Sequence, residues 1–401
     1  MFTEQFFDLL LNFGQEWIVK EVKTNLETNE VDIYVEYCHD GQGKIYDYAP
    51  VRRWRHLDTM QFRTYINCRL PRLKTDEGKI KTISPPWANK HDRHSYLFES
   101  AVIGLLQATK NQTQTAHLMN CKFDVVNRIM HEATKRGLER RAGAAEPELF
   151  ENISIDEKSF QKGHNYATVL SHPASERVLE VIQNRTKQAC KKLINKAFTP
   201  EQRKAVKTIS MDMWEAFIAV AKDELPAAEI VHDKFHLIKY LNEAIDKVRR
   251  REVKEHHELK DSRYALLKNE ENLTEKQRIK FEEIRAANFE VSRAWQAREN
   301  FKEVFSNATV EDSEAIYWQW QEAVKESGIK EVIKVAEIFS THWRGVINAM
   351  TGRLSNAMAE RLNGKIQLLK AIGRGYRKFE NFRSAILFFY GKLNLSPLNS
   401  Q

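Results

Sequence analysis

The sequence predicts an α/β protein: a mixed sheet in the order βββαβαβ, then an all-helical stretch, with a small β-rich unit and a helix-turn-helix ahead of it. Three observations carry this. The first 95 residues alternate in strand fashion and are broken by glycine and proline; short apolar runs punctuated by turn residues fill the stretch from 150 to 233; and from Lys234 to about Ile347 no strand signal survives. A chain of 401 residues with 42% hydrophobic and 29% charged residues can bury full-sized cores, and its length suits two or three structural units.

The N-terminal unit is read from Val31, Ile33 and Val35 in VDIYVEYC, with Gly41, Gly43, Pro50, Pro71 and the pair Pro85-Pro86 as breaks. Tyr46, Tyr48, Trp54 and Phe62 are its expected core. The period turns helical from Tyr96 to Gly137. There TQTAHLMN, CKFD and VVNRIMHEATKRG read as helix, tight turn, helix, a spacing that fits a helix-turn-helix as well as a plain helical hairpin. In the first reading Asn127, Arg128 and His131 face a major groove, Val125, Val126, Ile129 and Met130 point inward, and Lys135, Arg136, Arg140 and Arg141 form a basic flank. AGAAEPE, at 142 to 148, is a linker by composition.

Past the linker, ENISIDEKS, NYATVLSH and RVLEVIQNR are three strands. KQACKKLINKAFTPEQRKAV is one or two helices, VKTISMD a strand, WEAFIAVAKDEL a helix and AEIVHD a strand. Two of these strands end in an acid, Asp212 and Asp233, and open α/β sheets build their sites at strand ends. The helical region holds Trp295, Trp318, Trp320 and Trp343, which suit core anchors of a helical bundle better than base-stacking platforms.

Charge points to a partner. The chain has 63 basic and 55 acidic residues, a net charge of +8. Between Arg361 and Lys392 stand eight Lys/Arg against the single acid Glu380, and between Lys110 and Arg141 seven basic residues against three acids. Two such patches suit a polyphosphate backbone. Four dispersed cysteines, Cys38, Cys68, Cys121 and Cys190, fit reduced thiols. No eighteen-residue apolar run and no basic leader occur, so neither a membrane span nor a secretory signal is expected, and the protein is read as cytoplasmic.

Asp156 in SIDEKS, Asp212 in SMDMWEAF and Glu360 in SNAMAERLNGK each sit beside a strand end or on a helix in a polar context. Carboxylates of this kind can hold hard divalent ions for phosphoryl chemistry, although any one of them is more commonly a cap or a surface charge. The order of several strings adds to this. IDEKS, ISMDMW, EIVHDKFHLIKYLNEAIDKVRR, then SNAMAERLNGKIQLLK with GRGYRKFENFR, preceded by RRWRHLDTMQFRTY and PPWA, resemble the DDE transposases of bacterial insertion sequences, specifically the ISL-three family.

The resemblance spans nearly the whole chain and implies an RNase H-like catalytic core interrupted by an α-helical insertion. It implies that Asp156 bridges two Mg²⁺ or Mn²⁺ ions, that Asp212 binds one and that Glu360 binds the other. Asp233 and His236, in DKFH, match a D-x-x-H motif and are auxiliary, with a helix cap and a helix-face histidine as the plain alternative. Asn363, Lys365, Arg374 and Tyr376 fit a nearby DNA-contacting surface. Members of the family usually carry an N-terminal zinc-binding cysteine cluster. Here Cys38 is followed by His39 and Asp40, and KTDEGK after PRL has no cysteine, so zinc is not expected.

The expected organisation is an N-terminal β-rich domain at 1–95, resembling a zinc-binding domain with degenerate ligands, and a helix-turn-helix at 96–145. The core follows at 146–238, the insertion at 239–347, and the last part of the core with its basic tail at 348–401. The expected activity is binding of an element's terminal inverted repeats, cleavage at its ends and joining to target DNA, by a homo-oligomer in the bacterial nucleoid. A catalytically silent DNA-binding regulator and a metal-dependent nuclease without strand transfer are the alternatives. Residues 1–145 alone are expected to bind the ends.

Overall fold

The structure is a computed structural model that describes residues 3–38, 44–74, 78–89, 91–161, 165–268, 270–305, 309–351 and 357–397; the side chains of 44 and 357–360 lie outside the described set. The chain divides into two compact units, Met1–Ala144 with Leu393–Gln401, and Ala145–Lys392. The core therefore ends by contact at Lys392, and Leu393 onward belongs with the N-terminal unit. None of the described helices is long and apolar enough to cross a membrane.

Among the described residues the first unit opens with helix α1 (Thr3–Leu11) and seven strands: β1 (Trp17–Asn25), β2 (Glu30–Tyr37), β3 (Lys44–Tyr48), β4 (Arg52–Arg55), β5 (Arg63–Cys68), β6 (Pro71–Lys74) and β7 (Ile80–Thr82). They form a four-stranded sheet in the order β1-β2-β5-β4 and a three-stranded sheet β3-β6-β7. Strict alternation in β2 sends Val31, Ile33 and Val35 inward, where they meet Trp17, Trp54, Ile66 and Trp87. The expected aromatic core is corrected in part. Trp54 is fully buried and Phe62 packs against the cluster, but Tyr46 and Tyr48 are exposed, because β3 pairs in the smaller sheet and turns both rings outward. Cys68 lies in this core, and burial pushes its thiol up to about 12. His39 and Asp40 lie outside the described residues.

The helices α2 (Tyr96–Thr109), α3 (Gln112–Leu118) and α4 (Phe123–Ala142) follow in this unit. Ser95 caps α2 by accepting from the Phe98 amide, and Asn111 caps α3 by accepting from Gln114. Asn120, in the left-handed region at φ 46°, makes the tight turn between α3 and α4. Val126, Ile129 and Met130 are buried as expected from the helical period, and Val125 is half-buried.

In the second unit the strands are β8 (Asn152–Gln161), β9 (Asn165–His172), β10 (Arg177–Gln183), β11 (Thr208–Met211) and β12 (Glu229–His232). They form one sheet in the order β10-β9-β8-β11-β12, antiparallel among β10, β9 and β8 and parallel from β8 to β11 to β12. Helices α5 (Lys187–Ala197), α6 (Pro200–Ala205) and α7 (Glu215–Glu224) stand between its later strands. α6 starts with a capping box between Thr199 and Gln202. Ile153, Ile155, Ile209 and Met211 bury against Cys190, Leu193, Ile194, Phe217 and Ile218.

Among the described residues seven α-helices follow β12: α8 (Lys234–Glu252), α9 (Arg263–Leu267), α10 (Glu275–Ala286), α11 (Glu290–Val304), α12 (Val310–Glu326), α13 (Lys330–Thr341) and α14 (Trp343–Met350). Trp295 and Trp320 are buried in their common core with Phe301, Tyr317 and Phe339. Trp343 packs against that core, whereas Trp318 is 37% exposed. The insertion closes back on the sheet. The Asn348 amide of α14 donates to the Ile230 carbonyl of β12, and Gly345 passes so near that a Cβ there would stand 2.6 Å from the His232 ring. Helices α15 (Ala357–Ile372) and α16 (Phe379–Tyr390) follow. Arg383 of α16 grips the buried Glu180 of β10 through two bonds of 2.8 and 2.7 Å.

Candidate active site

The parallel register assembles the site. Ser210 pairs with Ser154 on one side and Val231 on the other, so Asp156, Asp212 and Asp233, each two residues on, form the next row on the same face of the sheet. The Asp233 amide donates to the Met211 carbonyl at 3.1 Å, which carries the β11–β12 pairing past the last strand residue. Adjacent strands lie about 4.8 Å apart, so the three acids are side by side at backbone level.

Asp156 takes three donors. Its Oδ1 accepts the Glu157 amide at 2.7 Å, and its Oδ2 accepts the Asn363 side-chain amide and lies 2.8 Å from the Lys158 ammonium. Asp212 accepts the Met213 amide at 2.7 Å. Asp233 caps α8 by accepting from Phe235 at 2.8 Å, and its other oxygen lies 3.4 Å from His236 Nδ1. Burial lowers the pKa of His236, but Asp233, then Asp212 and Asp156, outweigh it and hold the imidazole above its ordinary value. All three aspartates thus act on this one ring. Burial first and Asp212 second raise the Tyr240 phenol, one turn farther along α8.

Glu360 falls in α15, but its side chain lies outside the described residues. Asn363, three positions on, is described, and its bond to Asp156 turns that part of α15 toward β8. Among the described residues, no three His, Cys, Asp or Glu side chains form a ready-made metal cage. The donor set nevertheless fits a hard divalent cation: by register the carboxylates of Asp156, on β8, and Asp212, one residue past β11, fall in one row, and oxygen donors suit such an ion.

The basic residues separate by what they touch. In the first unit Arg128 and Lys135 are exposed on α4, while Asn127, His131 and Arg141 are half-buried. Arg136 pairs with the buried Glu99 at 2.7 Å and donates to the Leu395 carbonyl at 2.8 Å. Arg140 donates to the Ser396 carbonyl at 2.7 Å and to Asn394. Two of the three flank arginines, Arg136 and Arg140, are therefore engaged by the returning C-terminal segment. Gly137 permits that approach: a Cβ there would stand 2.7 Å from Leu393 Cβ.

In the second unit Lys365 pairs with Glu176, and Asn363 faces Asp156. Arg374 and Tyr376, with Lys370 and Arg377, line a groove of about 820 Å³. Burial pushes the Tyr376 phenol up to about 12. Arg374, Arg377 and Lys378 are exposed and make no ion pair among the described residues. Two members of the site carried no functional expectation from the sequence. Lys158 stands two residues beyond Asp156, so strand alternation puts it on the same face, and Trp214, 42% exposed beside Asp212, stacks against Arg185.

Comparison with known proteins shows the family. The chain is 26% identical to the transposase for insertion sequence element IS1001 of Bordetella parapertussis, over 83% of this chain and 82% of that protein. It is equally 26% identical to the transposase for insertion sequence element IS1557 of Mycobacterium tuberculosis, over 82% of this chain and 79% of that protein. Residues 153–386, more than half of the chain, match the family described as Transposase, and the match begins on β8 and ends in α16, enclosing the aspartate row, the insertion and Asn363. This chain belongs to the ISL-three family of DDE transposases.

Proposed function

We propose that the protein binds the terminal inverted repeats of its insertion sequence, cleaves the DNA at the element's ends and joins the freed 3′ ends to target DNA. The observation that carries this reading is the row that register gives Asp156 on β8 and Asp212 just past the parallel strand β11, with Asn363 of α15 bonded to Asp156. The strand order, three antiparallel strands followed by two parallel to the first, supports an RNase H-like core. The pair α3 and α4, with its short turn and inward apolar face, supports a helix-turn-helix whose second helix reads the major groove.

Asp156, Asp212 and Glu360 are the proposed ligands of two Mg²⁺ or Mn²⁺ ions. Such ions, when bound, activate the attacking oxygen and stabilise the leaving oxygen of a phosphodiester. The chain's own residues do the rest. The amides of Glu157 and Met213 fix the aspartates in one orientation each. Asn363 ties α15, and with it the helix position of Glu360, to the first strand. His236, whose imidazole its acidic neighbours hold above its ordinary pKa, stands beside the row. Arg374, Arg377 and Lys378 present positive charge to a DNA backbone, and Arg128 and Lys135 do so on α4.

The test is strand transfer with a labelled, pre-cut element end in Mg²⁺ or Mn²⁺. Joined products from the native protein, and none from Asp156→Asn, are expected. Cleavage without joining reduces the activity to that of a nuclease, and end binding without either reduces it to that of a regulator.

A further inference from the structure

We infer that Lys158 is a resident counter-cation of the active site, which holds Asp156 in the metal-free protein and competes with the divalent ion for the same carboxylate oxygen. This rests on the reading of Asp156 as a metal ligand. Lys158 and Asp156 are i and i+2 neighbours on β8, so both side chains leave the same face of the sheet. Both are largely shielded, at 17% and 19% side-chain exposure, and the ammonium lies 2.8 Å from Asp156 Oδ2. That oxygen also takes the Asn363 amide, while Oδ1 is held by the Glu157 amide.

Two aspartates in one row of a sheet repel, and a partly desolvated ammonium fixed to one of them relieves the repulsion while no ion is bound. An incoming cation meets that ammonium at close range, so loading requires Lys158 to swing away from Oδ2. The lysine stem, with four rotatable bonds, allows this without moving the strand. Asn363, neutral and donating to the same oxygen, exerts no comparable charge repulsion. Lys158 thereby sets the metal concentration at which the core is loaded, and it is a positioning residue for Asp156.

The experiment is a Mn²⁺ titration of the full chain without DNA, reading free Mn²⁺ by electron paramagnetic resonance, with thermal melts in chelator and in saturating Mn²⁺. Lys158→Met and Lys158→Gln should bind Mn²⁺ about tenfold more tightly, the scale of one partly screened charge removed at contact distance. Lys158→Arg should stay close to the native affinity. Both neutral variants should melt lower than the native protein in chelator and recover the difference in Mn²⁺. Unchanged or weaker Mn²⁺ binding by the neutral variants, alongside weakened binding by Asp156→Asn, would overturn the role of Lys158 and leave the metal reading standing. Unchanged binding by Asp156→Asn would remove the metal reading itself.

Discussion

Asn363, on the helix that follows the insertion, donates its side-chain amide to Oδ2 of Asp156, on the first strand of the core 207 residues earlier. This bond reaches across the whole helical stretch between β12 and α15. It joins the segment after the insertion to the strand that begins the sheet, and it brings α15 to the aspartate row while leaving the rest of the site to register.

Replacing Asn363 with Ala should therefore slow cleavage without abolishing end binding. A hydrogen bond to a charged group contributes about 1.5–3 kcal/mol, so the expected loss is about ten- to a hundredfold in cleavage rate. Single-turnover cleavage beside a mobility-shift titration checks it; an unchanged rate would show that the bond does not position α15 for the reaction.

Asp156→Asn, Asp212→Asn and Glu360→Gln should each remove cleavage to background and keep end affinity within about twofold, since the proposed ligands touch metal and not the duplex. Purified variants assayed in Mg²⁺ and in Mn²⁺ decide it. Robust cleavage by any one of them excludes that residue from the mechanism.

Stability should fall on acidification in both units. Burial holds His56 at about 4, with nearby Arg55 lowering it further, and burial likewise holds His232 at about 4. Each is depressed from an ordinary value near 6.5, so the unfolded chain binds the proton first. The contribution of each neutral ring is complete above that ordinary value and is lost as pH falls toward about 4, at a cost of about 3 kcal/mol per ring. His56 Nδ1 bonds the Ser95 hydroxyl that caps α2, so protonation also disturbs that cap. Chemical denaturation from pH 7 to 4 should show this slope, and His56→Asn should flatten the part that belongs to the first unit.

The C-terminal segment should prove to stabilise the first unit, with which it is grouped. Truncation after Lys392 uncovers the seat of Leu395 and leaves Arg136 and Arg140 without the carbonyls that occupy them. Thermal melting of residues 1–145, alone and joined by a flexible linker to 393–401, should show the joined form several degrees more stable, on the scale of about 1–3 kcal/mol for one buried leucine and its hydrogen bonds. Gly137→Ala should destabilise despite its better helix propensity, because the new methyl meets Leu393 Cβ and not the end of a flexible chain.

Salt dependence should separate contacting cations from engaged ones. Alanine at Arg128 or Lys135 should reduce the salt slope of end binding by about one phosphate contact each. Alanine at Lys365, which is paired with Glu176, should leave the slope nearly unchanged. Equal effects at all three positions would show that the ion pair opens on DNA.

The elements and the family resemblance are legible in the sequence. Apolar runs of strand length placed all five core strands, and the absence of a strand signal after Lys234 marked the insertion, because these patterns are local and have fixed periods of two and 3.6 residues. Asp156 and Asp212 were legible as strand-associated acids within recognisable strings. Tertiary structure alone decided their neighbours. Register across β8, β11 and β12 lined up three aspartates that are 56 and 21 residues apart in sequence, and no local pattern encodes which strand lies beside which. It likewise assigned the basic residues. Arg136 and Arg140 look like phosphate ligands in a charge run, yet the returning chain end supplies their carbonyl acceptors, since a charge in sequence carries no information about which distant group will reach it. Tyr46 and Tyr48 went outward for the same reason: alternation shows that a strand has two faces, and only packing decides which face is covered.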